Sequence, residues 1–138
     1  MRARGLGGGA LTVAGAVALV FGALTVFSGG RALFGGAEAR AAVGDAVPFV
    51  LWFNFLAGFA YITAGIGLVR RRPWALRLSW AILIATALIF VAFAAHVLSG
   101  GAYEMRTVGA MTLRTTLWGV ITVVAARSLK SGASSGNA

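Results

Sequence analysis

Four long apolar runs dominate the sequence and decide its solvent. They cover residues 10–28 ("ALTVAGAVALVFGALTVFS"), 47–69 ("VPFVLWFNFLAGFAYITAGIGLV"), 74–98 ("WALRLSWAILIATALIFVAFAAHVL") and 108–126 ("VGAMTLRTTLWGVITVVAA"). A helix rises 1.5 Å per residue, so about 20 residues cross a hydrocarbon core of about 30 Å. Only 11% of the 138 residues are charged and 59% are hydrophobic, whereas a typical soluble domain has about 25% charged residues. Such a chain has too little polar side chain to face water. The expected fold class is all-α: a four-span transmembrane helix bundle, one domain over 1–130, with a small polar tail at 131–138 expected to be disordered. The run at 10–28 follows Arg2 and Arg4 and exceeds the 7–15 residues of a signal-peptide core, so it reads as a retained helix.

The charge lies between the runs. Arg2 and Arg4 precede the first run, Arg70, Arg71, Arg72 and Arg77 gather at the second turn, and Arg127 and Lys130 follow the fourth run. This face has no acid. The opposite face sets Arg31, Arg40 and Arg106 against Glu38, Asp45 and Glu104. By the positive-inside rule both termini and the "RRRPW" turn are expected in the cytoplasm. The net charge of +9 is then a property of membrane topology. Arg70, Arg71, Arg72 and Arg77 are expected to meet lipid headgroups, and no nucleic-acid partner is expected. Pro73 suits the first turn of a helix, and Trp74 and Trp80 suit an interfacial belt.

There is no cysteine, which excludes thiol redox chemistry, thiolate metal sites and the small membrane proteins that work through cysteine pairs. The runs hold no Asp or Glu, so the embedded carboxylate of proton-coupled carriers is missing. His96 is the only histidine, which rules out bis-histidine haem ligation within one chain. None of the motifs HExxH, GxSxG or GxxxxGK[ST] occurs. We expect no enzyme and no cofactor.

Small residues allow helices to approach in lipid. Gly15, Ala18, Gly22, Thr25 and Gly29 recur at alternating spacings of three and four in the first run, forming one seam. Asn54, Gly58, Tyr61 and Gly65 share one face of the second. Asn54 and Tyr61 are polar at membrane depth and need partners there, either across helices or in a polar cavity.

The stretch "HVLSGGAYEMRTVGAMTLR" gathers His96, Glu104, Arg106 and Arg114 between two apolar runs. Gly100 and Gly101 suit a helix stop. A charged residue within a span is costly and faces the bundle interior or snorkels to an interface. Arg114 is expected to pair with Glu104, with Asp45 and Asn54 as other partners. Asn54, Tyr61, His96, Glu104, Arg106 and Arg114 form the candidate polar cluster. His96 also reads as a proton switch beside Glu104. With Met105 and Met111 it is a weak set of Cu(I) ligands, so no metal site is assigned.

"VLWFNFLAGFAYITAGIGL" followed by "GGAYEMRTVGAMTLRTTLW" resembles a set of small bacterial four-helix membrane proteins that have no established activity to transfer. In its four-span layout alone the chain is also similar to DoxX-like proteins. The resemblance and the Ala/Gly/Arg-rich composition imply a multi-pass protein of a bacterial inner membrane. The leading expectation is a non-enzymatic accessory or structural protein whose polar cluster docks a partner protein, a second copy or a small ligand. A small transporter or metal-handling protein built on His96, Glu104 and Arg114, and a cofactor-free subunit of a membrane redox complex, are the alternatives.

Overall fold

The computed structural model describes the backbone over 2–136 and the side chains over 9–129. Within the tail expected to be disordered, the backbone of 131–136 continues α5 as helix; its side chains, residues 137–138, and the side chains of Arg2, Arg4 and Lys130 lie outside the described residues. Five helices follow in order: α1 (Arg2–Phe34), α2 (Ala37–Val43), α3 (Pro48–Val69), α4 (Pro73–Leu98) and α5 (Met105–Gly136). No strand occurs among the described residues. Four segments are long and apolar enough to cross a membrane: Gly9–Phe34, Pro48–Val69, Pro73–Leu98 and Met105–Leu129. The all-α, four-span architecture is therefore present, with its second and third boundaries within one residue of those expected. Large apolar side chains such as Val20, Leu24, Leu88 and Val91 point outward, as they must where lipid is the solvent.

The first and last helices outrun the expected spans at both ends, α1 beginning at Arg2 and α5 reaching Gly136. α1 continues past Ser28 through "GGRALF", because Gly29 packs on Phe55 and Ala32 is buried, so the seam is still in contact there. It stops at the Gly35–Gly36 pair, where Gly36 has φ 90°. α5 starts at Met105, three residues before the apolar run, which puts Arg114 deeper than the run alone implied. The short helix α2 was not anticipated. It lies in the α1–α3 connection and has no buried residue.

The α1–α3 pair is the most extensive contact of the bundle, and its cause is the small-residue seam. Gly15, Ala18, Gly22, Thr25 and Gly29 are all buried. A Cβ placed on Gly22 would stand 2.9 Å from the Gly58 carbonyl oxygen and 3.0 Å from the Ile62 nitrogen. One placed on Gly65 would stand 2.8 Å from the Gly15 carbonyl oxygen. The backbones meet where side chains would ordinarily separate them.

The two helix stops use the same hydrogen-bond pattern. At the α3–α4 turn the Arg72 N–H reaches the Gly67 carbonyl at 2.8 Å and the Arg71 N–H reaches Leu68 at 3.1 Å. After α4 the Gly101 N–H reaches the His96 carbonyl at 2.9 Å and the Gly100 N–H reaches Val97 at 3.0 Å. Both are Schellman closures, whose penultimate position is left-handed. Gly100 fills it at φ 86°, as the sequence suggested, whereas Arg71 fills the other at φ 57°.

Two apolar clusters make the core. One surrounds Tyr61, Leu68, Ile82, Trp118 and Ile121, and the other joins Val47, Val50, Phe93 and Met111. On α5 these clusters meet at Arg114, which lies one turn from Met111 on one side and one turn from Trp118 on the other.

Candidate functional site

The candidate cluster divides into two groups. The first is at the end of the bundle that holds α2 and the α4–α5 loop. The Glu104 Oε1 atom accepts the Asp45 backbone N–H at 2.8 Å, and Arg106 Nη2 donates to the Ala42 carbonyl at 2.9 Å. Glu104, just before α5, and Arg106, in its first turn, thus hold the backbone at the end of α2 and in the α2–α3 connection. Gly44, at φ 58°, lies directly beneath the Glu104 carboxylate. The His96 ring closes its own loop. Its Nε2 is 2.9 Å from the Ala102 carbonyl oxygen, which can only accept, so Nε2 carries the hydrogen. Gly101 packs under the ring and Phe49 meets its edge. This first group is a clasp between two loops, made of side chains on backbone.

Met105 and Met111 stand in different surroundings. Met105 is 71% exposed, and Met111 is fully buried among Val47, Val50 and Phe93. Among the described residues no three of His, Cys, Asp and Glu group as metal ligands do. Arg70, Arg71, Arg72 and Arg77 are all exposed at the α3–α4 turn, where the Trp74 ring lies over Gly67.

The second group is inside the bundle and centres on Arg114. Here the expected pairing with Glu104 is overturned. Glu104 is engaged at the loops, and no carboxylate lies within ion-pair distance of Arg114 among the described residues, which include all three acids of the chain. The physical reason is the earlier start of α5. Nine residues separate Met105 from Arg114, which at 1.5 Å each is about 13 Å, too deep for a loop carboxylate to follow. Instead Arg114 Nη1 donates to Thr25 Oγ1 at 3.2 Å and, more weakly, to the Tyr61 hydroxyl oxygen at 3.5 Å. The guanidinium carbon lies 5.1 Å from the Phe21 ring centroid and 6.0 Å from that of Tyr61. The quadrupoles of these rings favour a cation there. Tyr61 is fully buried, stacked on Phe21 at 5.8 Å and tilted against Trp118 at 5.0 Å.

The donors around this cation outnumber the acceptors. Both hydroxyl oxygens accept from Arg114, so each keeps its own O–H to give. Among the described residues neither the Thr25 nor the Tyr61 O–H meets an acceptor. The buried Arg114 Nε–H and the buried Trp118 Nε1–H meet none either. Further unpartnered atoms are Thr122 Oγ1, one turn beyond Trp118, Thr86 Oγ1 on α4, and Asn54 Oδ1, two turns from Tyr61 on the same face of α3. Buried polar groups left unpaired cost free energy in lipid, where no bulk water reaches them.

Sequence reasoning missed Phe21, Trp118 and Thr122 as parts of this site. Thr25 was placed in the seam only as a small residue. The available signals were that Thr25 is the one polar member of that seam, and that Arg114, Trp118 and Thr122 recur at four-residue spacing on α5.

No protein-family model matches this chain, and neither a curated protein nor a solved structure matches it.

Proposed function

We propose that this chain is a non-enzymatic, multi-pass protein of a bacterial inner membrane, with both termini cytoplasmic, that binds a small ligand through an oxyanion at Arg114. One observation carries the reading: a cation inside the bundle is surrounded by N–H and O–H donors and by no acceptor with charge to match. An oxyanion would answer both needs. It would accept from Arg114, Tyr61 and Thr25, and its charge would replace the absent carboxylate, an arrangement of charge-assisted hydrogen bonds that is strong in a low-dielectric site. Water alone would satisfy the donors and leave the charge. The loop clasp keeps the bundle closed at that end and needs no ligand of its own.

Trp118 is a built-in reporter, since its ring lies against Tyr61. Trp52, Trp74 and Trp80 are all exposed and can be replaced by Phe to leave Trp118 as the single fluorophore. In phosphatidylcholine nanodiscs, benzoate should then change Trp118 emission saturably. Arg114→Gln should abolish the response and Arg114→Lys should keep part of it. An equal response in Arg114→Gln would refute binding at this cation.

A further inference from the structure

We infer that the natural ligand is a single-chain lipid carboxylate, a fatty acid, and that its chain lies in the groove on the lipid face of α1 with its carboxylate at Arg114. This rests on the oxyanion reading above and names the ligand class. The groove is shallow and open to the side, is lined by Ala16, Val17, Val20, Phe21 and Leu24 of α1, and has a volume of about 330 Å³. Phe21 belongs to both features. Its side chain lines the groove and its ring lies under the Arg114 guanidinium. Thr25, one turn further along α1, holds the same guanidinium. A molecule in the groove therefore borders the cation through one side chain.

Charge and depth select the ligand. One unpaired guanidinium is neutralised by one negative charge. A phosphate monoester dianion would leave an excess charge in a low-dielectric interior, at a cost that grows as the dielectric falls. A planar carboxylate also matches the guanidinium fork. Phospholipid phosphates are held at the interface, whereas Arg114 starts about 13 Å along α5 at 1.5 Å per residue. A lipid with a single chain and no large headgroup can reach that depth. An acyl chain gains little by leaving lipid for an apolar groove, so discrimination resides in the carboxylate and a neutral ester is rejected.

The test uses the full chain in phosphatidylcholine nanodiscs with a hexadecanoic acid carrying a mid-chain diazirine. After irradiation, adducts are mapped by peptide mass spectrometry. The wild type should be labelled at 16–24. Labelling there should fall about tenfold, equivalent to 1.4 kcal/mol, in Arg114→Gln or with competing hexadecanoate, and should not change with methyl hexadecanoate. Val20 is 61% exposed, so Val20→Phe should leave folding intact, fill the groove and remove the adducts while keeping the benzoate response of Trp118, the single fluorophore. Equal labelling by acid and ester, equal labelling of wild type and Arg114→Gln, or unchanged labelling of Val20→Phe would overturn the inference. If the benzoate response still depends on Arg114 in that case, the oxyanion reading stands and only the fatty acid and its groove are lost. If the benzoate response is also independent of Arg114, both fall.

Discussion

Arg106 and Arg114 stand eight residues apart on α5 and are treated in opposite ways. Arg106 is exposed, donates to the Ala42 carbonyl, and keeps the rest of its guanidinium in solvent. Arg114 is half-buried, donates to two hydroxyls that also have protons to give, and holds its Nε–H out of reach of any acceptor. The same side chain is an economical tie in the first setting and an unresolved charge in the second. The loop clasp pairs its charged side chains with backbone groups, whereas the interior site leaves a cation with no charged partner among the described residues.

The largest expected effect tests that incompleteness. A charged residue at the centre of a span costs about 2.5–3.5 kcal/mol on insertion scales. Arg114→Met removes the charge and keeps much of the length and volume. The ligand-free variant should therefore be more stable than wild type, by up to about 3 kcal/mol, in denaturant unfolding in bicelles, and should lose the benzoate response. A loss of about 3–5 kcal/mol, the usual result of breaking a buried ion pair, would mean that Arg114 already has a charged partner and that the contrast with Arg106 is false.

The next effect concerns what holds Thr25 in place. Thr25 reaches Arg114 because the seam brings α1 against α3. Gly22→Leu puts a side chain where a single Cβ already meets the Gly58 carbonyl oxygen at 2.9 Å, and overpacking of this kind costs about 1–3 kcal/mol. Unfolding should show that loss, and the Arg114-dependent benzoate response should weaken with it. A leucine at Val13, which is 63% exposed on the same helix, should do neither. If Gly22→Leu and Val13→Leu behave alike, the seam does not organise the site.

These tests also mark how far the sequence could be read. The four spans were legible because length and hydropathy are local properties, and the seam was legible because glycines at alternating spacings leave one surface on which backbones can meet. Gly100 announced its helix stop, but Arg71 did not, since an arginine carries no sign that it will be left-handed. The interior site was half legible. Arg114 stood out as a charge in a span and Tyr61 as a hydroxyl at depth. Their partner was assigned by nearness in sequence, and the register of α5 decided otherwise by starting three residues early. Phe21 and Trp118 were hidden for a different reason: an aromatic residue in an apolar run has the same letter whether it faces lipid or a cation. The clasp was hidden because backbone carbonyls and amides accept and donate at every position, so no sequence pattern reveals which of them Glu104 and Arg106 hold.

Smaller effects belong to the clasp. Gly44 has a left-handed φ of 58° and lies beneath the Glu104 carboxylate. Gly44→Ala therefore meets both backbone strain, about 1–2 kcal/mol for an L residue, and displacement of the carboxylate from the Asp45 N–H. Glu104→Gln keeps an acceptor and loses only charge at an exposed contact, so it should cost about 1 kcal/mol or less. Hydrogen exchange at the Asp45 amide should rise more in Gly44→Ala than in Glu104→Gln. The reverse order would mean that charge, not geometry, holds the loops together.

The smallest expected quantity is the most direct check on the contrast between the two arginines. Glu104 and Arg114 belong to separate groups with no shared hydrogen-bond partner. Free-energy changes at independent sites add to within about 0.3–0.5 kcal/mol. Glu104→Gln, Arg114→Gln and the double variant should therefore close a thermodynamic cycle with a coupling inside that range, measured by unfolding in the same bicelles. A water-bridged or direct ion pair would instead make the second substitution cheaper once the first is present, with a coupling above about 0.5 kcal/mol. That result would join the clasp to the interior cation and give Arg114 the negative partner that the oxyanion reading requires it to lack. Additivity leaves the positive charge inside the bundle unbalanced by Glu104, which is the imbalance that the proposed oxyanion would remove.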